Sequence, residues 1–140
     1  MSTIECYECK GKVSSQANAC PHCGLPIEVE IQYHVNGQMK ILLFLKDGKA
    51  DGLDTWWYES GQKQYEANHK DGERHGLYTE WYENWQKKSE GNYKDGKLDG
   101  LWTKWYENGQ KESEGYYNDG KAVGLCTFWY ENGQKESEGN

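Results

Sequence analysis

The 24 residues LWTKWYENGQKESEGYYNDGKAVG, Leu101 to Gly124, carry two turn signals and two alternating segments. Leu101-x-Thr103-x-Trp105 has period two, as in a strand with one buried face. Tyr106-Glu107-Asn108-Gly109-Gln110 follows, with a Gly suited to the left-handed position of a three-residue hairpin loop. Lys111-x-Ser113-x-Gly115-x-Tyr117 alternates again, and Asp119-Gly120 closes it with a second turn. A three-residue loop pairs Tyr106 with Gln110. Counting back sets Trp105 against Lys111, Thr103 against Ser113 and Leu101 against Gly115. That register places the constant residues of both strands on one face.

The unit recurs. Asp47-Gly48, Asp71-Gly72, Asp95-Gly96 and Asp119-Gly120 lie 24 residues apart. Leu53, Thr55 and Trp57 return at Leu77, Thr79 and Trp81, at Leu101, Thr103 and Trp105, and at Leu125, Thr127 and Trp129. Trp85 breaks the loop signature, standing where other units have Gly61, Gly109 and Gly133. A left-handed Trp is strained, so that unit is expected to use a different loop. Subtracting 24 from the first clear unit gives Val29, Ile31 and Tyr33, with a turn at Asn36-Gly37-Gln38. The array therefore starts with a strand over Ile27–His34 and reads as about ten strands in five hairpins. Its terminal units are atypical, as repeat arrays require.

Composition agrees with an all-β chain. Among 140 residues there are 7 Trp, 11 Tyr and 17 Gly, but only 2 Phe and 2 Met. A helical bundle needs aliphatic faces, and a disordered chain lacks aromatics. The net charge of −7 argues against nucleic-acid binding, which rests on neutralising phosphates, and against docking on anionic lipid. Met1-Ser2-Thr3-Ile4-Glu5-Cys6 has no basic region before an apolar stretch, so a cytoplasmic chain with reduced thiols is expected.

Four of the five Cys precede residue 24: Cys6 and Cys9, then Cys20 and Cys23. Two CxxC pairs at this separation form a metal pattern, because each two-residue spacer turns both thiolates toward one ion. One structural Zn²⁺ held by Cys6, Cys9, Cys20 and Cys23 is the reading. Disulfides and ligation by His22 are the alternatives. A closed four-thiolate site leaves no position for a reacting water. About 25 residues cannot bury a core, so metal binding supplies the folding energy. The domain plan is a metal module over residues 1–26 and the repeat array over 27–140. Lys10 and Lys12 are the only Lys or Arg in the module, too few for a nucleic-acid ribbon.

CYECKGKVSSQANACPHCG, residues 6–24, resembles the short zinc-ribbon modules at the N-termini of many bacterial proteins, with Tyr7 where Pro is usual. SEGNYKDGKLDGLW (89–102) and SEGYYNDGKAVGLC (113–126) resemble the MORN repeat, closest to the bacterial variant with a Y-E-N-G-Q-K signature. The resemblance spans about residues 33–140. It implies an elongated antiparallel meander, one hairpin per repeat. Some bacterial members of the family are described as antitoxin components of toxin–antitoxin pairs, and eukaryotic ones are associated with phospholipids, membrane junctions or scaffolding.

No phosphate-cradling loop or nucleophile elbow is present, so an enzyme and a small-molecule substrate are not predicted. The Leu-Thr-Trp stripe, with Trp57, Trp81, Trp105 and Trp129, reads as core. The opposite face carries Trp56, Tyr58, Tyr78, Tyr82, Trp102, Tyr106, Phe128 and Tyr130. These are candidate anchors for a protein partner, with cross-strand packing ladders as the alternative. His69 aligns with Tyr93 and Tyr117, in the buried stripe. Cys126 reads as a free thiol. Leu42 and Phe44 point away from the buried series and need a cover, either the adjacent ribbon or a partner. The leading function is protein interaction through the aromatic face, with the antitoxin-like role as one form of it. Membrane-lipid binding is the alternative, and nucleic-acid binding through the ribbon a weaker one.

Overall fold

A computed structural model describes residues 3–6, 9–14, 16–24 and 28–140. Among them are twelve strands and no helix. A small hairpin pairs β1 (Thr3–Glu5) with β2 (Lys12–Ser14). The rest is one ten-stranded antiparallel sheet whose spatial order is its chain order. Its strands are β3 (Glu28–Tyr33), β4 (Met39–Lys46), β5 (Lys49–Trp57), β6 (Lys63–Lys70), β7 (Glu73–Trp81), β8 (Lys87–Lys94), β9 (Lys97–Trp105), β10 (Lys111–Asn118), β11 (Lys121–Trp129) and β12 (Lys135–Gly139). Ile27, placed in the first strand by the pattern, and the boundary at 26/27 lie outside the described residues.

Two kinds of turn alternate along the chain. At each Asp-Gly both residues are left-handed, as at Asp95 (φ 49°) and Gly96 (φ 78°). That is the two-residue turn whose twist matches the flanking strands. The Tyr-to-Gln loops are three-residue hairpins, as expected. Tyr106 N–H donates to the Gln110 carbonyl at 2.9 Å, and Gly109 N–H to the Tyr106 carbonyl at 2.9 Å. The Trp85 unit does not change its loop. Tyr82 N–H still donates to the Gln86 carbonyl at 2.9 Å, and Trp85 itself takes φ 71°.

The loop side chains fasten each hairpin to the next. Tyr58, Tyr82 and Tyr106 hydroxyls donate to the carbonyls of Trp81, Trp105 and Trp129 at 2.8, 3.0 and 2.8 Å. Asn84 and Asn108 amides donate to the Glu107 and Glu131 carbonyls, both at 2.8 Å. The Y-E-N-G-Q signature is therefore a staple between successive turns. It satisfies carbonyls that a bulged strand end leaves free.

The strand register departs from expectation by one residue. Trp105 pairs with Lys111, but Ser113 then pairs with Lys104, Glu114 with Thr103, Gly115 with Trp102 and Tyr116 with Leu101. Glu112 is a bulge, and one extra residue moves every later side chain to the other face. The same shift recurs in each loop-connected hairpin. Thr55, Thr79 and Thr103 consequently face Glu66, Glu90 and Glu114. Ser89, Gly91 and Tyr93, and their equivalents, join the aromatic face instead. Space explains the glycine there: a Cβ on Gly91 would lie 2.4 Å from a ring atom of Trp102.

The shift also relocates Leu42 and Phe44. Leu42 pairs with Thr55, and Phe44 with Val29, so both lie on the Leu-Thr-Trp face. The ribbon covers them there. Ile4, Cys6, Val13, Cys20, Leu42 and Phe44 form one buried cluster, with Met39, Leu53 and Trp57 packed against it. Beyond that cover the face is thin. Trp81, Trp105 and Trp129, expected as core, are half-buried, and Leu77, Leu101 and Leu125 are exposed.

Candidate metal centre and aromatic sheet face

The two knuckles are built by the backbone. Lys10 N–H donates to the Cys6 carbonyl at 2.9 Å, and Gly24 N–H to the Cys20 carbonyl at 2.8 Å. Each tight turn ends in a left-handed residue, Lys10 at φ 60° and Gly24 at φ 74°. Gly24 takes this conformation without a Cβ clash, as the sequence suggested. The four Sγ atoms converge within 4.8 Å of one another. Cys6 and Cys23 sulfurs are 3.8 Å apart, and those of Cys9 and Cys20 3.6 Å.

These separations fit one metal ion. A tetrahedral thiolate site with metal–sulfur bonds of about 2.3 Å has sulfur–sulfur edges of about 3.8 Å. A disulfide would need about 2.05 Å. Burial pushes the Cys20 thiol up, but the Cys23 and His22 amides and the Cys9 and Cys23 thiols outweigh it and bring it down to about 6. Cys9 shifts the other way: the Gly11 amide lowers it, while burial and the Cys20 and Cys6 thiols together raise it. Cys6 and Cys20 are buried, and Cys9 and Cys23 exposed. His22 is no part of the cluster. Its Nε2 lies 3.2 Å from the Lys12 carbonyl, and its ring packs on Gly11.

The second site is the uncovered sheet face. Trp56, Tyr78 and Trp102 share it with Tyr65 and Tyr93, which the expected register had placed on the other side. Tyr78 and Trp102 stack at 5.6 Å between ring centroids, with Tyr65–Tyr78 at 5.6 Å and Trp56–Tyr65 at 5.7 Å. Tyr93 meets Trp102 edge-on at 6.0 Å. Burial pushes the Tyr78 hydroxyl up to about 12, with Glu80 adding to it. Of the other candidate anchors, Tyr58, Tyr82 and Tyr106 serve the turn staples, while Phe128 and Tyr130 are 45% and 50% exposed. Cys126, on this face, is a half-buried free thiol opposite Gly115.

At the N-terminal end of the ladder the repeat departs from itself. Asp54 stands where other units have Tyr78, Trp102 and Cys126, and it is 8% exposed. It accepts from Trp56 Nε1 at 2.9 Å and from the Tyr65 hydroxyl. Burial, then that bond, drives the Tyr65 hydroxyl upward. Next to it is His69, which burial holds below the ordinary imidazole range and Asp54 partly restores. Arg74 lies 5.0 Å from the Tyr78 ring centroid and 5.4 Å from that of Tyr93. Sequence reasoning missed Asp54, Tyr65 and Arg74. The available signal was their departure from the 24-residue pattern.

The profile of the MORN repeat variant family matches residues 50–71, 74–95, 98–119 and 122–140. This chain belongs to the MORN repeat variant family. The hairpin of β3 and β4 precedes the matched units but continues the same meander. No curated protein matches the chain.

Proposed function

We propose that this MORN-repeat chain is a non-enzymatic protein-interaction module with a structural zinc ribbon. The observation that carries it is the aromatic ladder on a sheet face that no other element among the described residues covers. Tyr and Trp among mixed charge are the side chains that anchor protein interfaces. The opposite face supports a protein partner over a phosphate-bearing one. There Lys63, Lys87, Lys111 and Lys135 are each paired three residues on with Glu66, Glu90, Glu114 and Glu138, at 2.5–2.9 Å. These four lysines are thus already committed to carboxylates of their own strands.

The zinc assignment follows from the four-thiolate donor set, which suits a tetrahedral d¹⁰ ion, and from a ribbon too small to fold alone. The ribbon's task is to cap the apolar end of the array. An antitoxin-like role is the case in which the partner is a toxin.

The test is a cross-linked pull-down from native cells with wild type and with Phe128→Ser/Tyr130→Ser. Both residues are exposed, so the double variant keeps the fold. The expected result is a stoichiometric protein partner, depleted in the variant. Absence of any such partner refutes the reading. Native mass spectrometry tests the metal: a folded mass without one zinc refutes the ribbon's assignment.

A further inference from the structure

Arg74 is the sole arginine of the chain. At its register the other units carry Ala50, Leu98 and Ala122, so it is not part of what the repeat needs to fold. It borders a hollow of about 240 Å³ on the aromatic face, lined by Trp56, Gln64, Tyr65, Arg74, Tyr78 and Glu80. The Tyr78 and Tyr93 rings support the guanidinium plane. Among the described residues the guanidinium makes one hydrogen bond, from Nη1 to the Tyr93 hydroxyl, long at 3.5 Å. Among the described residues no carboxylate lies within ion-pair distance of it.

Both nearby carboxylates are committed elsewhere. Asp54 accepts from Trp56 and Tyr65. Glu80 is held by Lys88 at 2.8 Å and Ser89 at 3.1 Å, with the Tyr78 hydroxyl at 3.5 Å. A half-buried, ring-supported guanidinium thus keeps most of its five donors unspent. The Gln64 amide at the rim has no partner among the described residues. Trp56 and Tyr65 offer an apolar wall.

We infer that this hollow is a carboxylate-binding subsite in which Arg74 grips the carboxylate with its planar fork while the apolar body of the ligand packs on Trp56 and Tyr65. This rests on the aromatic face being a binding surface, and adds the chemistry it selects. The fork matches a planar carboxylate in two parallel bonds. The negative charges of Glu80 in the lining and of Asp54 behind Trp56 and Tyr65 disfavour a phosphate dianion more than a monoanion. The carboxylate comes either from a small free acid or from an acidic side chain of a protein partner.

Because there is one arginine, its Nε–H gives a single assignable NMR resonance. The Trp56 indole N–H reports from the far side of the hollow. Benzoate is the probe for a free acid and acetyl-Gly-Glu-Gly-amide the probe for a chain carboxylate. Benzamide and inorganic phosphate at matched ionic strength are the controls. Millimolar benzoate, the Glu peptide or both should shift the Arg74 and Trp56 signals saturably, and the controls should not. Which of the two shifts them identifies the source. Arg74→Ala restores the residue of two other units, so it should fold and bind the active probe at least tenfold more weakly. The inference fails if neither carboxylate shifts both signals, if benzamide or phosphate shifts them equally, or if Arg74→Ala binds unchanged. Partner capture dependent on Phe128 and Tyr130 would survive that failure, so the two readings are separable.

Discussion

Removing the zinc proposed for the ribbon should destabilise the sheet as well as the ribbon. The reason is the shared cluster. Phe44 is 2% exposed and Leu42 8%, and both are covered by Ile4, Val13, Cys6 and Cys20. Burying each large apolar side chain is worth about 1.5–3 kcal/mol. Loss of the ribbon therefore costs the first hairpins about 3–6 kcal/mol, a fall of about 10–25 °C in Tm. The assay is calorimetry with dye binding on the zinc-loaded chain, before and after a strong chelator. A Leu42→Glu/Phe44→Asn variant supplies the control, because the third hairpin carries Glu90 and Asn92 at those registers. In that variant the ribbon loses the sheet's two buried side chains in the cluster and keeps only the partly buried Val29, Ile31, Met39, Leu53 and Trp57 to sit on. On chelation its array should lose less melting temperature and expose less additional dye-binding surface than the wild-type array does. If chelation leaves the wild-type array's melting and dye binding unchanged, the ribbon is not part of its core, and the reasoning fails.

Three further outcomes are expected. At position 85, Trp→Gly should be more stable than Trp→Ala by about 1 kcal/mol in urea titration, since φ 71° penalises any Cβ by about 1–2 kcal/mol and the greater freedom of unfolded Gly returns part of it. Equal stabilities would show that the loop relaxes. Tyr82→Phe removes the donor to the Trp105 carbonyl and should cost about 1 kcal/mol, whereas Tyr116→Phe, at an exposed position without that staple, should cost nothing measurable. Ultraviolet titration should find Tyr78 ionising late. Because its folded pKa is raised, by burial first, its contribution to stability is complete below pH 10 and is lost as pH rises toward about 12. A single tyrosine transition near pH 10 with no alkaline loss of stability would contradict this.

The turns were readable residue by residue. Asp-Gly and Asn-Gly are conformational statements, because few residues accept left-handed backbone, and their 24-residue spacing determines how many hairpins follow. The thiol cluster was equally legible, since a two-residue spacer leaves the sulfurs little choice of direction. Trp85 misled the loop reading because a strained backbone is tolerated when the staples around it hold: Tyr82 still bonds Gln86 and Trp105. The aromatic face was half legible. Trp56, Tyr78 and Trp102 were placed on it, whereas Tyr65 and Tyr93 were not, because the bulge that brings them there has no signature of its own.

By itself, the sequence determined the elements, their order, the hairpin connections and the four clustered cysteines. All are local properties, set by backbone preference and short spacing. Tertiary structure alone decided which side of the sheet each second strand shows. A one-residue bulge reverses that choice, and its position is set by packing: the Trp102 ring needs the space above Gly91, the Cys126 sulfur that above Gly115, and Thr needs its facing Glu. The same reversal put Leu42 and Phe44 beneath the ribbon and gathered Asp54, Tyr65 and Arg74 at one end of the aromatic ladder.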